Sequence, residues 1–194
     1  GRFRQEIRNY SSLQWSAVLC VALLTAGFIL SNDLTKLSES LTYPDKVVYA
    51  KSSPYQRIVL THGALDWRLF LNGNLQFSSA DEYRYHEALV HPAMSAAGAP
   101  KRVLILGGGD GLALREVLKY RGVEHVTLVD LDPAMTALSS RFSPLARLNA
   151  NAFRDRRVRV VNEDAMIWIE RIREQFDVAI VDFPDPGSFS LGKL

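Results

Sequence analysis

The sequence predicts an α/β protein built on a doubly wound parallel sheet, preceded by a small antiparallel β unit and one long apolar helix. From Lys101 onward, short apolar runs alternate with helical segments, a pattern typical of a parallel sheet covered by helices. Before Lys101, short runs rich in Val, Ile, Leu, Phe and Trp are separated by turn dipeptides, which is typical of antiparallel hairpins. Near the start, 18 residues are almost entirely apolar.

Composition places the chain among globular proteins. Of its 194 residues 47% are hydrophobic and 23% charged, with 12 Gly and 8 Pro, which excludes disordered, collagen-like and low-complexity classes. A single cysteine, Cys20, excludes an internal disulfide, and the four histidines lack paired thiols at zinc spacing, so we predict no metal site. Residues 1–30 carry a net charge of +2, and the remainder balances 20 basic against 20 acidic residues. No nucleic-acid partner is therefore expected.

The apolar stretch Leu13–Leu30 is predicted to be a transmembrane helix, because 18 residues without a charge are about enough to span a bilayer. A secretory signal peptide or a buried core helix are the alternatives, although no Ala-x-Ala-like cleavage site follows. Three arginines precede the stretch and Lys36 follows it, which by the positive-inside rule would place the N-terminal flank in the cytoplasm. This count carries little weight, because the rule applies to all the spans of a protein and this sequence shows one. The chain begins with Gly1, and we expect a fragment truncated at both ends whose helix is the last of several spans.

We expect three regions: a membrane segment and polar linker over residues 1–40, a small β domain over 41–78, and a parallel-sheet domain over 79–194. The linker is Ser31–Ser40. The β domain has turn chemistry at His62-Gly63 and Asn72-Gly73. Its predicted strands are Lys46–Tyr49, Tyr55–Thr61, Trp67–Leu71 and Asn74–Phe77.

The third region opens with a predicted helix from Ala80 to Leu89. Ser79 and Glu82 have capping-box spacing, and Pro92 should end or kink the helix. Strands and helices then alternate. The predicted strands are Val103–Leu106, His125–Asp130, Arg157–Val161 and Asp177–Asp182, and the helices are Leu112–Tyr120, Pro133–Ser140 and Met166–Glu174.

A glycine-rich loop joins the first of these strands to its helix. Gly107, Gly109 and Gly111 lack side chains, which lets a ligand lie against the backbone, although tight turns also use glycine for steric reasons alone. Leu112 stands where a dinucleotide fingerprint has its third glycine, and Asp110 would repel a pyrophosphate. The loop therefore favours a ligand without phosphates and with a positive charge, and it argues against a nucleotide dehydrogenase.

Carboxylates follow the other strands, at the edge where open α/β sheets bind ligands. Asp130 ends the second strand, where an acid can accept hydrogen bonds from both ribose hydroxyls. Asp132 is expected to cap the next helix. Asp164 and Ala165 follow the third strand, where either an adenine contact or a helix cap fits.

Two further acids, Asp182 and Asp185, follow the fourth strand. Acids in a turn often only cap or solvate it, but here the strand delivers Asp182 to the same edge as Asp110 and Asp130. Such a cluster needs cations to offset its self-repulsion. A sulfonium nucleoside and a polyamine would supply them.

Five segments together resemble the spermidine synthase (polyamine aminopropyltransferase) family: YQRIVL, LNGNLQFSSADEYRYHEALVHPA, RVLILGGGDGLALREVLKY, VTLVDLDPAM and VDFPDP. The resemblance runs from about Tyr49 to Pro186, and the leading apolar span is similar to that of the membrane-bound bacterial branch. It implies a Rossmann-like, S-adenosylmethionine methyltransferase-like fold, truncated at the C-terminus. It also implies aminopropyl transfer from decarboxylated S-adenosylmethionine, a co-substrate rather than a cofactor, to putrescine, giving spermidine and methylthioadenosine.

The resemblance implies a role for each acid. Asp182 would take or orient the proton of the attacking amine, and Asp185 would hold the diamine's ammonium groups. Asp110 would contact the donor's aminopropyl ammonium, Asp130 its ribose and Asp164 its adenine.

Four further residues complete the implied site. Gln56, Gln76 and His86 would line the donor pocket and Tyr85 the amine side, although each also suits ordinary packing. The resemblance implies a multi-pass cell-membrane protein with a cytoplasmic catalytic domain. It leaves the oligomeric state open, although relatives commonly form homodimers.

The chain departs from the family pattern at Asp130, where many members have Glu, at Phe183-Pro184, where a small polar pair is common, and at Leu112, which replaces a Gly. A later active-site Tyr of the family would lie beyond Leu194. Two alternatives remain open: an S-adenosylmethionine-dependent methyltransferase, and a non-catalytic membrane protein that binds or senses polyamines.

Overall fold

The computed structural model describes residues 10–183, and the chain divides into two compact units near residue 46. The first unit contains one helix, α1 (Tyr10–Thr42). Its segment Ser12–Ser31 has a mean hydropathy of 2.0 and is wholly exposed. Within residues 10–183, α1 is the one helix long and apolar enough to cross a membrane.

The predicted linker Ser31–Ser40 is helical, because α1 continues through it without a break; its role as a linker stays a prediction. No Gly or Pro interrupts this stretch. The hydroxyls of Thr35 and Thr42 each donate to the carbonyl four residues earlier, at 2.8 Å. These side chains therefore bond within the helix instead of competing with it.

The second unit begins with a four-stranded antiparallel sheet in the order β1-β2-β3-β4. Asn72 and Gly73 have φ angles of +51° and +82°, as a tight two-residue hairpin requires. The predicted turn is therefore confirmed. The strands are β1 (Lys46–Ser52), β2 (Arg57–His62), β3 (Trp67–Leu71) and β4 (Asn74–Ser78).

Helix α2 (Glu82–Ala96) corrects two predictions. The capping box does not form: the Ser79 hydroxyl accepts from the Trp67 amide at 2.9 Å, and the Glu82 carboxylate binds other side chains. Pro92 lies inside the helix rather than ending it. Val90 and Met94, both fully buried, pack into the core around this last stretch, and their burial offsets the backbone hydrogen bond that proline removes.

A parallel sheet follows, in the order β7-β6-β5-β8, so the predicted fold class is confirmed. Its strands are β5 (Arg102–Gly107), β6 (His125–Asp130), β7 (Val158–Asn162) and β8 (Val178–Asp182). Its helices are α3 (Leu112–Leu118), α4 (Pro133–Arg141), α5 (Ser143–Leu148) and α6 (Ala165–Arg171), with a 3₁₀ turn at Ala152–Arg154.

Alternating residues of β5 divide the core between the two faces of the parallel sheet. Val103 and Ile105 belong to the cluster that contains residues of α2 and α3, whereas Leu104 and Leu106 pack with Trp168 of α6. A third cluster joins the antiparallel sheet to α3, α4 and α5 within the second unit. The predicted domain boundary at residue 78 stays a prediction.

The strand order places β5 at the topological switch point. The chain runs from β5 through β6 to β7 on one side, then returns to place β8 on the other side of β5. Ligands of open α/β sheets bind outside the carboxyl ends of the strands at such a point. The loop after β5 and the ends of β6 and β8 are therefore the place to look for a site.

Candidate active site

The glycine loop after β5 brings its backbone against two of the predicted acids. Gly107, Gly108 and Gly111 have φ angles of +80°, +66° and +81°, which glycine adopts without strain. The Gly108 amide donates to the Asp182 carbonyl at 3.0 Å. A Cβ on Gly109 would lie 2.6 Å from Asp130 Oδ2. These glycines are therefore required for the close approach of loop and acids.

Three carboxylates, Asp110, Asp130 and Asp182, converge at this edge of the sheet. Burial, with the neighbouring charge of Asp110, raises the pKa of Asp182 to about 7. Burial raises the pKa of Asp130 to about 6, with Asp110 again contributing, and burial also raises the pKa of Asp110 itself. Each shift means that the negative charges are poorly compensated. The arrangement favours a cation in the crevice.

Asp182 presents one oxygen to a neighbour and leaves the other without a partner. Its Oδ1 accepts a hydrogen bond from the Tyr85 hydroxyl at 3.2 Å. Its Oδ2 is buried and has no hydrogen-bond partner among residues 10–183. A buried acceptor without a donor is costly, so Oδ2 is the atom that a ligand N–H group would satisfy.

His86 lies beside these acids in a buried position. A ring nitrogen of His86 and one oxygen from each of Asp110 and Asp182 lie within 4.8 Å of one another. Burial alone would lower the pKa of His86, but the hydrogen bond with Glu82 and the charges of Asp110 and Asp182 raise it above its usual value. His86 is therefore the nearby group that can carry positive charge against the acids.

Three of the other predicted residues make contacts outside this cluster. Gln56 Nε2 donates to Asp132 Oδ2 at 3.0 Å, at the turn between β6 and α4. Gln76 Nε2 bonds back to the carbonyl of Asn74 on its own strand, at 3.3 Å. Asp164 caps α6 by accepting from the amides of Met166 and Ile167. Its predicted capping role is thus confirmed, while its adenine contact stays a prediction.

Asp132, expected to be a helix cap, accepts from the Ala134 amide at 2.9 Å and so caps α4. Ala165 is the first residue of α6, next to the Asp164 cap. Asp185 lies outside the described residues.

Three residues that hold the site together were not predicted from the sequence: Glu82 and Asn149, which are buried, and Arg115, which is partly buried. Glu82 pairs with Arg115 at 2.7 Å, and Asn149 donates to the Asp110 carbonyl at 3.0 Å. Arg115 and Asn149 are distant in sequence from their partners, Glu82 and Asp110. The Glu82-to-His86 spacing of four residues on one helix is a signal that could have found Glu82.

Two shallow clefts, of about 440 and 490 Å³, lie elsewhere in the second unit. The first is lined by three arginines and Asp155, and the second, which includes Arg115 and Asn149, mixes cationic, amide and apolar side chains. Neither is lined by a residue of the predicted site. The site is therefore assigned by the convergence of acids and not by cavity size.

Fold and site together define the class: a methyltransferase-like α/β protein whose strand ends carry buried carboxylates at the switch point. The chain belongs to the spermine/spermidine synthase family. The model of the spermine/spermidine synthase domain matches residues 82–192. The family resemblance predicted from the sequence is confirmed, whereas the comparisons do not support its membrane-bound branch.

Two curated relatives are similar over nearly the whole chain. Polyamine aminopropyltransferase 2 of Ralstonia nicotianae is 56% identical over 99% of this chain and 38% of its own length. The polyamine aminopropyltransferase of Leptospira interrogans is 52% identical over 94% of this chain and 36% of its own. The chain thus spans less than two fifths of the length of these relatives.

Solved structures show the same fold. The crystal structure of spermidine synthase from Thermotoga maritima has a TM-score of 0.66 and 34% identity, covering 73% of this chain and 48% of that one. A spermidine synthase in complex with the transition-state analogue AdoDATO has the same score and identity, covering 71% of this chain and 47% of that one.

The predicted location, a multi-pass cell-membrane protein, is wrong. Residues 10–183 contain one candidate span, α1, near the N-terminus. One such helix is weak evidence, because core helices and signal sequences have the same length and composition. The two relatives and two solved structures reported above are named as aminopropyltransferases and spermidine synthases.

Proposed function

We propose that the protein is an aminopropyltransferase, which moves the aminopropyl group of decarboxylated S-adenosylmethionine to putrescine and forms spermidine and methylthioadenosine. The observation that carries this proposal is the convergence of Asp110, Asp130 and Asp182 at the switch point. The names of the family relatives and the analogue-bound spermidine synthase support it.

The substrates have the charges that this crevice lacks. The donor carries a sulfonium and a primary ammonium, and the acceptor carries two ammonium groups. Each cation that enters stabilises the ionised form of the acids and so lowers their pKa values. The negative charges of the acids repel the carboxylate of intact S-adenosylmethionine, which gives the site a means of discriminating against that donor.

The reaction is a displacement at carbon. The amine nitrogen loses a proton and attacks the carbon next to the sulfonium, the carbon–sulfur bond breaks, and its electron pair returns to sulfur as methylthioadenosine leaves. The sulfonium itself supplies the leaving group, so the transfer needs no cofactor. Holding both substrates in line supplies a large part of the rate.

Asp182 is the group we assign to the amine proton. Its buried Oδ2 has no partner within the described residues, and Tyr85 holds Oδ1. Its pKa of about 7 lies near working pH, which suits a general base. Tyr85, on α2, therefore lies on the amine side of the site.

The remaining roles are proposals about the donor. Asp110 binds the aminopropyl ammonium, Asp130 the ribose hydroxyls, and Asp164 with Ala165 the adenine. Gln56 and Gln76 line the donor pocket, and the backbone of Gly107, Gly109 and Gly111 faces the donor. Asp185 holds the far ammonium of the diamine. We also propose a homodimer as the assembly, which light scattering of the purified protein would test.

The experiment is an assay of the full-length protein with putrescine and either decarboxylated or intact S-adenosylmethionine, with products identified by mass. Spermidine and methylthioadenosine from the decarboxylated donor alone would support the proposal. A methylated product from the intact donor would replace it with a methyltransferase. No product from either would favour a binding or sensing role.

A further inference from the structure

A buried ion pair behind His86 takes no part in the transfer described above. Glu82 on α2 and Arg115 on α3 have side chains only 4% and 14% exposed. Arg115 donates to both carboxylate oxygens of Glu82, at 2.7 and 3.0 Å. It also donates to the Leu148 carbonyl at 2.9 Å and to Glu116 at 2.8 Å. Glu82 is thus held in one orientation from α3.

The fixed carboxylate is directed at one nitrogen of His86. Nδ1 lies 2.9 Å from Glu82 Oε2 and 2.7 Å from the Glu82 carbonyl oxygen. Burial alone would raise the pKa of Glu82, but its hydrogen bonds with His86 and Arg115 lower it, so Glu82 is ionised at neutral pH. Both partners of Nδ1 can only accept, so Nδ1 carries a proton.

The other ring nitrogen is then the one that titrates. With Nδ1 donating to Glu82, Nε2 is the nitrogen of His86 that can exchange a proton. The charged groups around the ring are Glu82 on its own helix, Asp110 in the loop after β5 and Asp182 at the end of β8. All three are acids. Arg115, the cation that contacts Glu82, is already paired with it.

We propose that Glu82, anchored by Arg115, is a positioning residue that keeps His86 as an imidazolium in the empty site, and that an entering substrate ammonium displaces the Nε2 proton. The proposal rests on the proposed function and deepens it. A proton on Nε2 balances the acids while no substrate is bound. When an alkylammonium takes its place, the proton leaves to solvent and the charge of the crevice is unchanged.

The first test measures His86 directly and needs no substrate. The full-length protein is labelled with ¹⁵N-histidine, and His86 is assigned by its loss in His86→Asn. In Glu82→Gln, which keeps the shape but not the charge, the titration midpoint of His86 should fall by about 1 to 3 pH units. Glu82→Asp, which keeps the charge but is one methylene shorter, should give an intermediate midpoint and serves if Glu82→Gln does not fold.

Glu87→Gln is the matched control. Glu87 is on the same helix, its side chain is 47% exposed, and its ion pair is with Lys119. The midpoint of His86 should not move in this variant. An unchanged midpoint in Glu82→Gln, or in Glu82→Asp if that variant has to be used, would overturn the proposal, as would an equal fall in Glu87→Gln.

The second test counts protons. Calorimetry of putrescine binding in two buffers of different ionisation enthalpy should show proton release in the wild type below the His86 midpoint, and less in Glu82→Gln at the same pH. Equal release from the two proteins would overturn the proposal, because protons that the acids lose on binding are common to both. A shifted His86 midpoint in a protein that forms no spermidine would count against the proposed function and leave the role of Glu82 in place.

Discussion

Replacing Asp182 with Asn should stabilise the protein at alkaline pH. The change removes a buried charge while keeping an oxygen that accepts from the Tyr85 hydroxyl. The pKa of Asp182 is about 7 in the folded protein, against an ordinary value near 4. Ionised Asp182 therefore lowers the free energy of unfolding by about 4 kcal/mol at alkaline pH. This is the upper bound of the gain, because burying an amide has its own cost. We expect a gain of about 2–4 kcal/mol.

The sign of the pH dependence follows from the direction of the shift. Between about pH 4 and pH 7 the folded protein keeps a proton on Asp182 that the unfolded chain has lost. The wild type therefore loses stability as the pH rises through this window, and Asp182→Asn does not. The gain should be full at pH 8 and absent near pH 4, as measured by urea unfolding of the full-length protein at both pH values.

Asp155→Asn is a control of opposite sign. Asp155 pairs with Arg157 at 2.8 Å, and its hydrogen bonds with Arg157 lower its pKa to about 2. This pair stabilises the protein above about pH 4 and is lost as the pH falls towards 2. The variant should therefore be less stable than wild type at pH 7. A gain for Asp182→Asn that is equal at pH 4 and pH 8, or no gain at pH 8, would refute the reasoning.

Three further substitutions test other parts of the account. Gly109→Ala places a Cβ 2.6 Å from Asp130 Oδ2, so calorimetry should show weaker binding of the decarboxylated donor; unchanged affinity would contradict the assigned ribose contact. Arg115→Met leaves Glu82 buried without its ion pair and should cost about 3–5 kcal/mol in urea unfolding; a loss below 1 kcal/mol would contradict that role. Ile105→Ala opens the fully buried centre of β5 and should cost about 2–5 kcal/mol, whereas a near-neutral result would show that the core collapses around it.

The sequence predicted the fold because local pattern and tertiary structure agree along most of the second unit. The strands Trp67–Leu71 and His125–Asp130 occur as predicted, since alternation of short apolar runs with turns is a local property. Helix α5, only six residues long, was missed because it is too short to show a helical period. The helix predicted to end at Leu89 continues past Pro92 to Ala96, because tertiary packing outweighed a local rule.

The candidate site was predictable where it depends on topology. Parallel strands share one edge, so Asp110, Asp130 and Asp182 could be placed together from their positions after strands. The partnership of Glu82 with Arg115 was not predictable in this way, because it joins side chains of two helices 33 residues apart. Glu82 also fitted a capping pattern, and that local interpretation concealed its buried role.

The most direct test of the central claim is the turnover and donor affinity of Asp182→Asn in the full-length protein. We expect spermidine formation from putrescine and decarboxylated S-adenosylmethionine to be lost, while the calorimetric affinity for the donor stays close to wild type, because this carboxylate serves the attacking amine more than the nucleoside. Near-normal turnover in this variant would contradict the assignment of Asp182 as the group that takes the amine proton.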